Sequence, residues 1–261
     1  MSEVLDCYCL FNTDKTVLNS LLLSVLVKHS VLVENQLLAA LPSEEYSRLD
    51  PYMEQVSLEF RQELYLPNQP IEHVYFINYG VASMLTVMTD GLAIEVATVG
   101  NEGMVGLPVF LGADRIPGEC FMQVAGSGLR MEVDAFKIHV TVNSPLYNLL
   151  QRYTQALFNQ IAQSAACNRL HSIEQRMCRW LLMTADRVET NTFSLTQEFL
   201  STMLGVNRST VSLNASILQR AGLINYTRGQ ITILDRLGLE DITCECYQVV
   251  NAEFKRLLNG K

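Results

Sequence analysis

The spacing of apolar positions changes twice along the chain, and the changes divide it. Residues 34–40 predict one short helix, and the stretch from Pro42-Ser43-Glu44-Glu45 to about Leu49 a second, with a turn between them. From 56 to about 133 the apolar runs become short. Turn signals interrupt them at Pro67-Asn68, 78–80, Asp90-Gly91, 100–103 and 126–128. Asp90-Gly91 stands between apolar runs 84–88 and 93–99 and predicts a hairpin. Short strands with this punctuation predict a β-roll or jelly roll. From Pro145 the period is helical again. Leu146, Leu149, Leu150, Tyr153, Leu157 and Ile161 recur at three and four residues with no Gly or Pro among them. Residues 173–183, with the only Trp at 180, predict the first helix of a C-terminal core, and 237–258 a single closing helix.

The stretch 194–233, SLTQEFLSTMLGVNRSTVSLNASILQRAGLINYTRGQITI, has the finest grain. Thr196 sits where an N-cap belongs, followed by Glu198 in the first turn. Phe199 stands where a capping box needs Glu or Gln. Phe199, Leu200, Met203 and Leu204 face a core at helical spacing, and Gly205 ends the helix. Asn207 caps a second helix. On it Val211, Ala215 and Leu218 form an apolar stripe, while Arg208, Ser209, Ser212 and Ser216 form a polar one. Gly222 stops this helix. Ile224 and Tyr226, then Ile231 and Ile233, alternate about an Arg228-Gly229 turn and predict a hairpin. Helix, turn, helix and hairpin outline a winged helix-turn-helix, a DNA-reading device. Short polar side chains let its second helix approach a major groove, Arg208 can grip guanine with two hydrogen bonds, and Arg228 can reach a phosphate. The alternative is a three-helix unit that only packs.

Composition adjusts this picture. A chain of 261 residues, 49% hydrophobic and 18% charged, suits two well-packed domains. The net charge of −8 is wrong for a nucleic-acid binder, but it is unevenly placed. Residues 190–261 carry seven Lys/Arg and six Asp/Glu, leaving −9 on residues 1–189. Within 194–233 three Arg face one Glu, so modest, salt-dependent affinity is expected. The acidic start MSEVLDCYC does not read as a signal peptide, and the eleven-residue apolar run 17–27 is too short to span a bilayer. A cytoplasmic protein without membrane attachment is expected. The seven Cys include Cys7-x-Cys9 and Cys244-x-Cys246, but no CxxC and no Cys/His set at zinc spacing. They read as free, mostly buried thiols with no metal assigned. The alternative is a redox or iron–sulfur role for Cys7 and Cys9 with Cys120 or Cys167. Metal chemistry of the cupin kind needs two or three His and a carboxylate. No HxH occurs, no nucleophile–base pair can be argued, and no catalytic residue is assigned. The glycine-dense run 99–112 can cradle a phosphate or turn a barrel corner, and composition favours the corner.

In this order the chain resembles the Crp/Fnr family of bacterial transcription regulators. The resemblance rests on IEHVYFINYGVASML (71–85), VGNEGMVGLPVFLG (99–112), HSIEQRMCRWLLMTADRV (171–188), LTQEFLSTMLGVNRSTVS (195–212) and ITILDRLGLEDITCECY (231–247). It implies an α+β protein with four parts. These are an N-terminal extension (1–34), a cyclic-nucleotide-binding-like, jelly-roll β-roll sensory domain (35–144), a long dimerisation helix (145–169) and a winged helix-turn-helix DNA-binding domain (170–261). It implies a homodimer that pairs through Leu149, Leu150, Tyr153, Leu157 and Ile161 and binds double-stranded DNA at a pseudo-palindromic site, with RNA polymerase a further candidate partner. The alternative for this apolar stripe is that it packs on the β-roll, as part of it must. DNA contacts fall on Thr196, Asn207, Arg208, Ser209, Thr210, Ser212, Ser216 and Arg228. Arg208 matches the family's guanine-contacting Arg, whereas Ser209 and Leu213 replace a Glu and an Arg of its best-known members. The sensory domain departs further. Gly106-Leu107-Pro108 replaces a Gly-Glu-Leu segment, and Pro117-Gly118-Glu119-Cys120 stands near the place of the Arg-Ser or Arg-Thr pair that holds a cyclic phosphate. Gly103, Gly106 and Arg115 are the remaining candidates for an effector site. Glu119 repels an anion, so cAMP and cGMP are not expected in the usual manner, and no cofactor is assigned. His29, His73, His139 and His171 are isolated and suggest no haem ligand. The alternative function is a regulatory dimer that acts through protein partners with little DNA binding.

Overall fold

The computed structural model describes residues 34–258. The apolar run 17–27, Cys7, Cys9 and His29 lie outside the described residues. Two short helices open the described part, α1 (Gln36–Ala39) and α2 (Ser43–Leu49). Asn35 is fully buried before α1. Its side-chain oxygen accepts from the Leu37 and Leu38 amides, and its amide group donates to the Ile77 and Gly103 carbonyls, both at 2.8 Å. One side chain thus caps the helix and fastens it to the sheet.

The sheet contains β1 (Met53–Leu58), β2 (Glu63–Tyr65), β3 (His73–Val87), β4 (Ala93–Val99), β5 (Met104–Val105) and β6 (Glu119–Glu132). The strand order is β1-β6-β3-β4, with β2 added to β6 and β5 to β3, all antiparallel. The 15-residue β3 and 14-residue β6 carry the roll. Their register slips between Ile77 and Ala82, so the ribbon bends there. Gly80, at φ +99°, lies against Gly126 at the bend, and a Cβ on Gly126 would strike the Tyr79 carbonyl. The Asp90-Gly91 hairpin forms as its sequence predicts. Two short helices, α3 (Leu107–Phe110) and α4 (Val133–His139), complete this part.

The long helix α5 (Pro145–Leu170) starts at the Ser144 cap, and only His171 and Ser172 separate it from α6 (Ile173–Val188). Ser172 and Gln175 close a capping box at the start of α6. There follow β7 (Thr192–Ser194), α7 (Gln197–Leu204), α8 (Arg208–Arg220), β8 (Ile224–Thr227), β9 (Gln230–Ile233), α9 (Arg236–Ile242) and α10 (Cys246–Leu258). The second sheet has the order β7-β9-β8. The predicted single helix 237–258 is therefore two helices. Thr243 adopts extended backbone at ψ 159° after α9, and residues 243–245 form the connection.

The stripe on α5 lies against the chain's own elements. Leu149, Leu150, Tyr153 and Leu157 are at most 5% exposed in the single chain. They are already covered, because α5 packs against β4 on one side and α10 on the other. Tyr153 donates to the Met104 carbonyl and lies 6.3 Å from the Phe254 ring. Only Ile161 among the expected pairing residues keeps partial exposure. The face left open carries Gln151, Gln155, Phe158, Ala162, Ala165 and Arg169, with Phe158 64% exposed.

The roll and the winged helix share a packed seam. Arg187 of α6 grips Glu102 of the roll through Nε at 2.9 Å and Nη2 at 2.7 Å, both groups buried. Trp180 Nε1 donates to Glu95 of β4 at 3.0 Å, and Ser83 donates to the same carboxylate at 2.6 Å. Phe199 of α7 lies 5.9 Å from both Phe60 and Phe121. The seam therefore combines apolar contact with polar groups that find their partners across it.

Candidate nucleic-acid interface

The helix-turn-helix is built by local chemistry. The Thr196 hydroxyl accepts from the Phe199 amide at 3.1 Å, and α7 begins there. Gly205 ends it in the left-handed region at φ +62°, a conformation that costs glycine little. Asn207 then starts α8. Its side-chain oxygen accepts from the Thr210 amide at 2.8 Å and from the Ser209 and Thr210 hydroxyls at 2.7 Å each. Asn207 and Thr210 thus shape the helix start, and they fix the pose of Ser209.

The rest of α8 divides by face. Val211 and Leu218 are fully buried and Ala215 nearly so. Arg208, Ser209 and Ser216 are exposed, and Ser212 is half-buried. Ser216 donates back to the Ser212 carbonyl at 2.8 Å, which keeps its side chain close to the helix. Leu213 projects from the exposed side at 60% exposure. The wing is a two-residue hairpin with Thr227 paired to Gln230 and both Arg228 and Gly229 at positive φ, so Arg228 stands exposed at its tip. The wing is fastened at its base, where the Tyr226 hydroxyl donates to the Leu195 carbonyl at 2.9 Å and the Tyr226 amide donates to the side-chain oxygen of Gln219 of α8 at 2.9 Å. Burial pushes the Tyr226 phenol up to about 12, and Arg208 pulls the other way. The guanidinium therefore lies near the wing's first strand, and the structure brings Arg208, the serines of α8 and the wing into one body. Thr196 is exposed at the start of α7, where its hydroxyl serves as a cap.

The expected effector residues do not converge. Gly103 is buried, and a Cβ there would meet the Tyr153 ring. Gly106 holds the left-handed turn before α3. Arg115 is exposed and pairs with its neighbour Asp114 at 2.9 Å. The glycine-rich loop is filled from within: the Gly100 amide donates to the Glu102 carboxylate, which is itself paired with Arg187. It works as a barrel corner. A cavity of about 260 Å3 lies elsewhere, between β2, β6 and α7. Glu63, Glu119 and Glu198 line it, with Arg61 the cation among its lining residues.

Comparison with known proteins agrees with this geometry. The Crp-like helix-turn-helix domain family matches residues 175–242, from α6 to the end of α9. The C-terminal part is thus similar to a Crp-like helix-turn-helix domain. The fold is similar to that of solved Crp/Fnr transcription regulators. FixK2 from Bradyrhizobium japonicum superposes with a TM-score of 0.63 at 17% identity, covering 74% of this chain and 98% of that one. A protein from Eubacterium rectale assigned to the Crp/Fnr regulators gives 0.62 at 17% identity, covering 79% and 96%. A Crp-family transcriptional regulator from Thermus thermophilus gives 0.61 at 16% identity, covering 72% and 95%. Among curated proteins there is no significant match. Among the described residues no helix is long and apolar enough to cross a membrane.

The structure also brings together residues that the sequence left apart. Cys167, His171, Cys244 and Cys246 offer ligand atoms that all lie within 4.8 Å of one another. The spacing Cys167-x3-His171 with Cys244-x-Cys246 was the available signal, but 77 residues separate the first and third members.

Proposed function

We propose that this protein is a cytoplasmic transcription regulator whose Crp-like domain reads double-stranded DNA through α8. The observation that carries the reading is the division of α8 into a fully packed stripe and an exposed stripe of Arg208, Ser209, Ser212 and Ser216 beside the wing. Short side chains on that stripe permit close approach to base edges, and Arg208 supplies a bidentate donor for guanine. Arg228 at the wing tip supplies a phosphate contact.

The active unit is a homodimer whose α8 helices enter successive major grooves about 34 Å apart. The interface we propose differs from the one expected from sequence. Gln151, Gln155, Phe158, Ala162, Ala165 and Arg169 recur at four and three residues along the open face of α5, a seam of the coiled-coil kind with small residues at its centre. Phe158 is its large apolar anchor. The regulator is not an enzyme, and RNA polymerase is a candidate partner of the DNA-bound dimer. A cyclic nucleotide is not its effector in the usual manner, because the three carboxylates of the inter-domain cavity repel a phosphate.

One observation favours a second reading. Leu213 exposes an apolar side chain at 60% on the outward face of α8, where it offers no hydrogen bond to a base edge. Selection of genomic fragments by the purified protein separates the two. A recovered palindromic site whose binding weakens about 10- to 100-fold in Arg208→Ala supports direct reading of DNA. No enrichment, with or without cell metabolite extract, supports action through partners instead.

A further inference from the structure

The geometry points to a structural zinc site of the Cys3His kind at the elbow between α5 and α6, formed by Cys167, His171, Cys244 and Cys246. The three sulfurs are almost wholly buried and form their own cluster. Cys167 Sγ lies 3.5 Å from Cys244 Sγ, and Cys246 Sγ lies 3.5 Å from His171 Nδ1. Ligands bonded tetrahedrally to one zinc ion at about 2.3 Å stand about 3.8 Å apart, close to these separations. An iron–sulfur cluster would interpose its own irons and sulfides and needs a wider cage.

Three further features point the same way. His171 turns Nδ1 to the sulfurs and Nε2 to Glu245, with Nε2 and the carboxylate 3.3 Å apart. A carboxylate on the far nitrogen fixes the tautomer and raises the basicity of a metal-binding imidazole. Gln163 donates to Cys246 Sγ at 3.1 Å, one helical turn before Cys167, as a hydrogen bond to a bound thiolate requires. Charge is the third. Arg176 and Arg179 are buried beside the cluster, neither forms a salt bridge among the described residues, and each leaves its Nε without a partner. Arg179 also feels Glu95 from the seam, whereas Arg176 has no carboxylate acting on it among those residues. Arg176 lies within electrostatic reach of Cys167 and Cys244, and Arg179 of Cys167. Three thiolates and a neutral imidazole on Zn2+ carry a net charge of −1, which answers these cations where three neutral thiols do not.

The site also explains the break in the C-terminal helix. Residues 243–245 leave helical geometry between α9 and α10, and Cys244 and Cys246 thereby meet the end of α5. The ion would tie three segments that sequence keeps apart: the last turn of α5, the elbow at His171, and the start of α10. Zinc binding displaces the thiol protons to solvent and involves no change of oxidation state.

The test uses the full chain, expressed with zinc in the medium and purified without chelators or metal-affinity resin. Elemental analysis should find about one zinc per chain. Cys244→Ser/Cys246→Ser should fall at least about tenfold in zinc content, while Cys178→Ser, a buried thiol outside the group, should keep it. Should the double variant fail to fold, the wild type decides. After chelation under reducing conditions, added Co2+ should give the visible absorption of tetrahedral thiolate-bound cobalt, and zinc should abolish it. Wild type that purifies without zinc and gives no such spectrum overturns the proposal. So does a Cys167–Cys244 disulfide in freshly isolated protein, which would make the pair a redox site instead.

Discussion

Replacing Glu95 with Gln should stabilise the protein, and the gain should depend on pH. Glu95 lies in the seam, where Oε1 accepts from Trp180 Nε1 at 3.0 Å and Oε2 from the Ser83 hydroxyl at 2.6 Å. Burial pushes its carboxyl from an ordinary value of 4.5 up to about 7, against the opposing pull of Ser83, Arg179, Trp180 and Arg187. The folded chain thus holds this proton more tightly than the unfolded chain. The group's contribution to stability is fully present below 4.5 and is lost as pH rises through 7. At about 1.4 kcal/mol per pH unit the whole range is about 3 kcal/mol at most. Integrating the two titrations places about 2 kcal/mol of it between pH 8 and pH 5.5, above the isoelectric point near 5.1. Gln mimics the protonated acid: its oxygen accepts from Trp180 and its amide donates to Ser83, whose own proton can turn to Met203 Sδ, 3.4 Å away. Urea unfolding followed by the single tryptophan, which reports from this seam, measures the effect. The stability difference between Glu95→Gln and wild type should shrink by about 2 kcal/mol as pH falls from about 8 to about 5.5. Other titrations cancel in that difference. A difference that does not vary with pH, or a variant less stable than wild type at pH 8, would refute the burial argument.

Other outcomes follow from the same contacts. Glu102→Ala leaves Arg187 buried without its partner and should lower unfolding free energy by about 3–5 kcal/mol in denaturant titration. Phe158→Glu should yield folded monomers in sedimentation, whereas Leu157→Glu, which forces a charge into the packing beneath α5, should lose cooperative unfolding altogether. Asn207→Ala should cost about 1 kcal/mol in thermal or urea unfolding, because three donors lose their acceptor at the start of α8. Calorimetry with cAMP should show no binding heat, and micromolar affinity would contradict the charge argument for the cavity.

What was legible in the sequence was whatever a short window determines. The caps at Thr196 and Asn207, the left-handed stop at Gly205 and the two-residue turn at Arg228-Gly229 depend on neighbours within four residues, and each formed as its sequence predicts. The buried stripe of α8 followed from its period alone. Period does not say what covers a stripe. On α5 the pattern through Leu149, Leu150, Tyr153 and Leu157 was read correctly as buried, but the same pattern serves a dimer partner, the roll or α10, and the chain's own elements took the place. The seam was hidden for a related reason. Glu95 alternates on β4 as a solvent-facing residue would, and its unusual proton affinity arises only when Trp180, far along the chain, closes over it.

The cluster at the elbow is the extreme of this limit. Cys167 and His171 sit one helical turn apart, and Cys244 and Cys246 flank a single residue, so each pair alone is short of a binding set. Only the packing of α10 along α5 makes four ligands of them. That packing also covers the helix face that a sequence-based reading gives to the dimer. The burial of the α5 stripe within the chain and the break in the C-terminal helix therefore have one physical origin. The chain turns at Thr243, α10 is laid against α5 and covers its apolar stripe, and the thiols meet at the joint between α5 and α6.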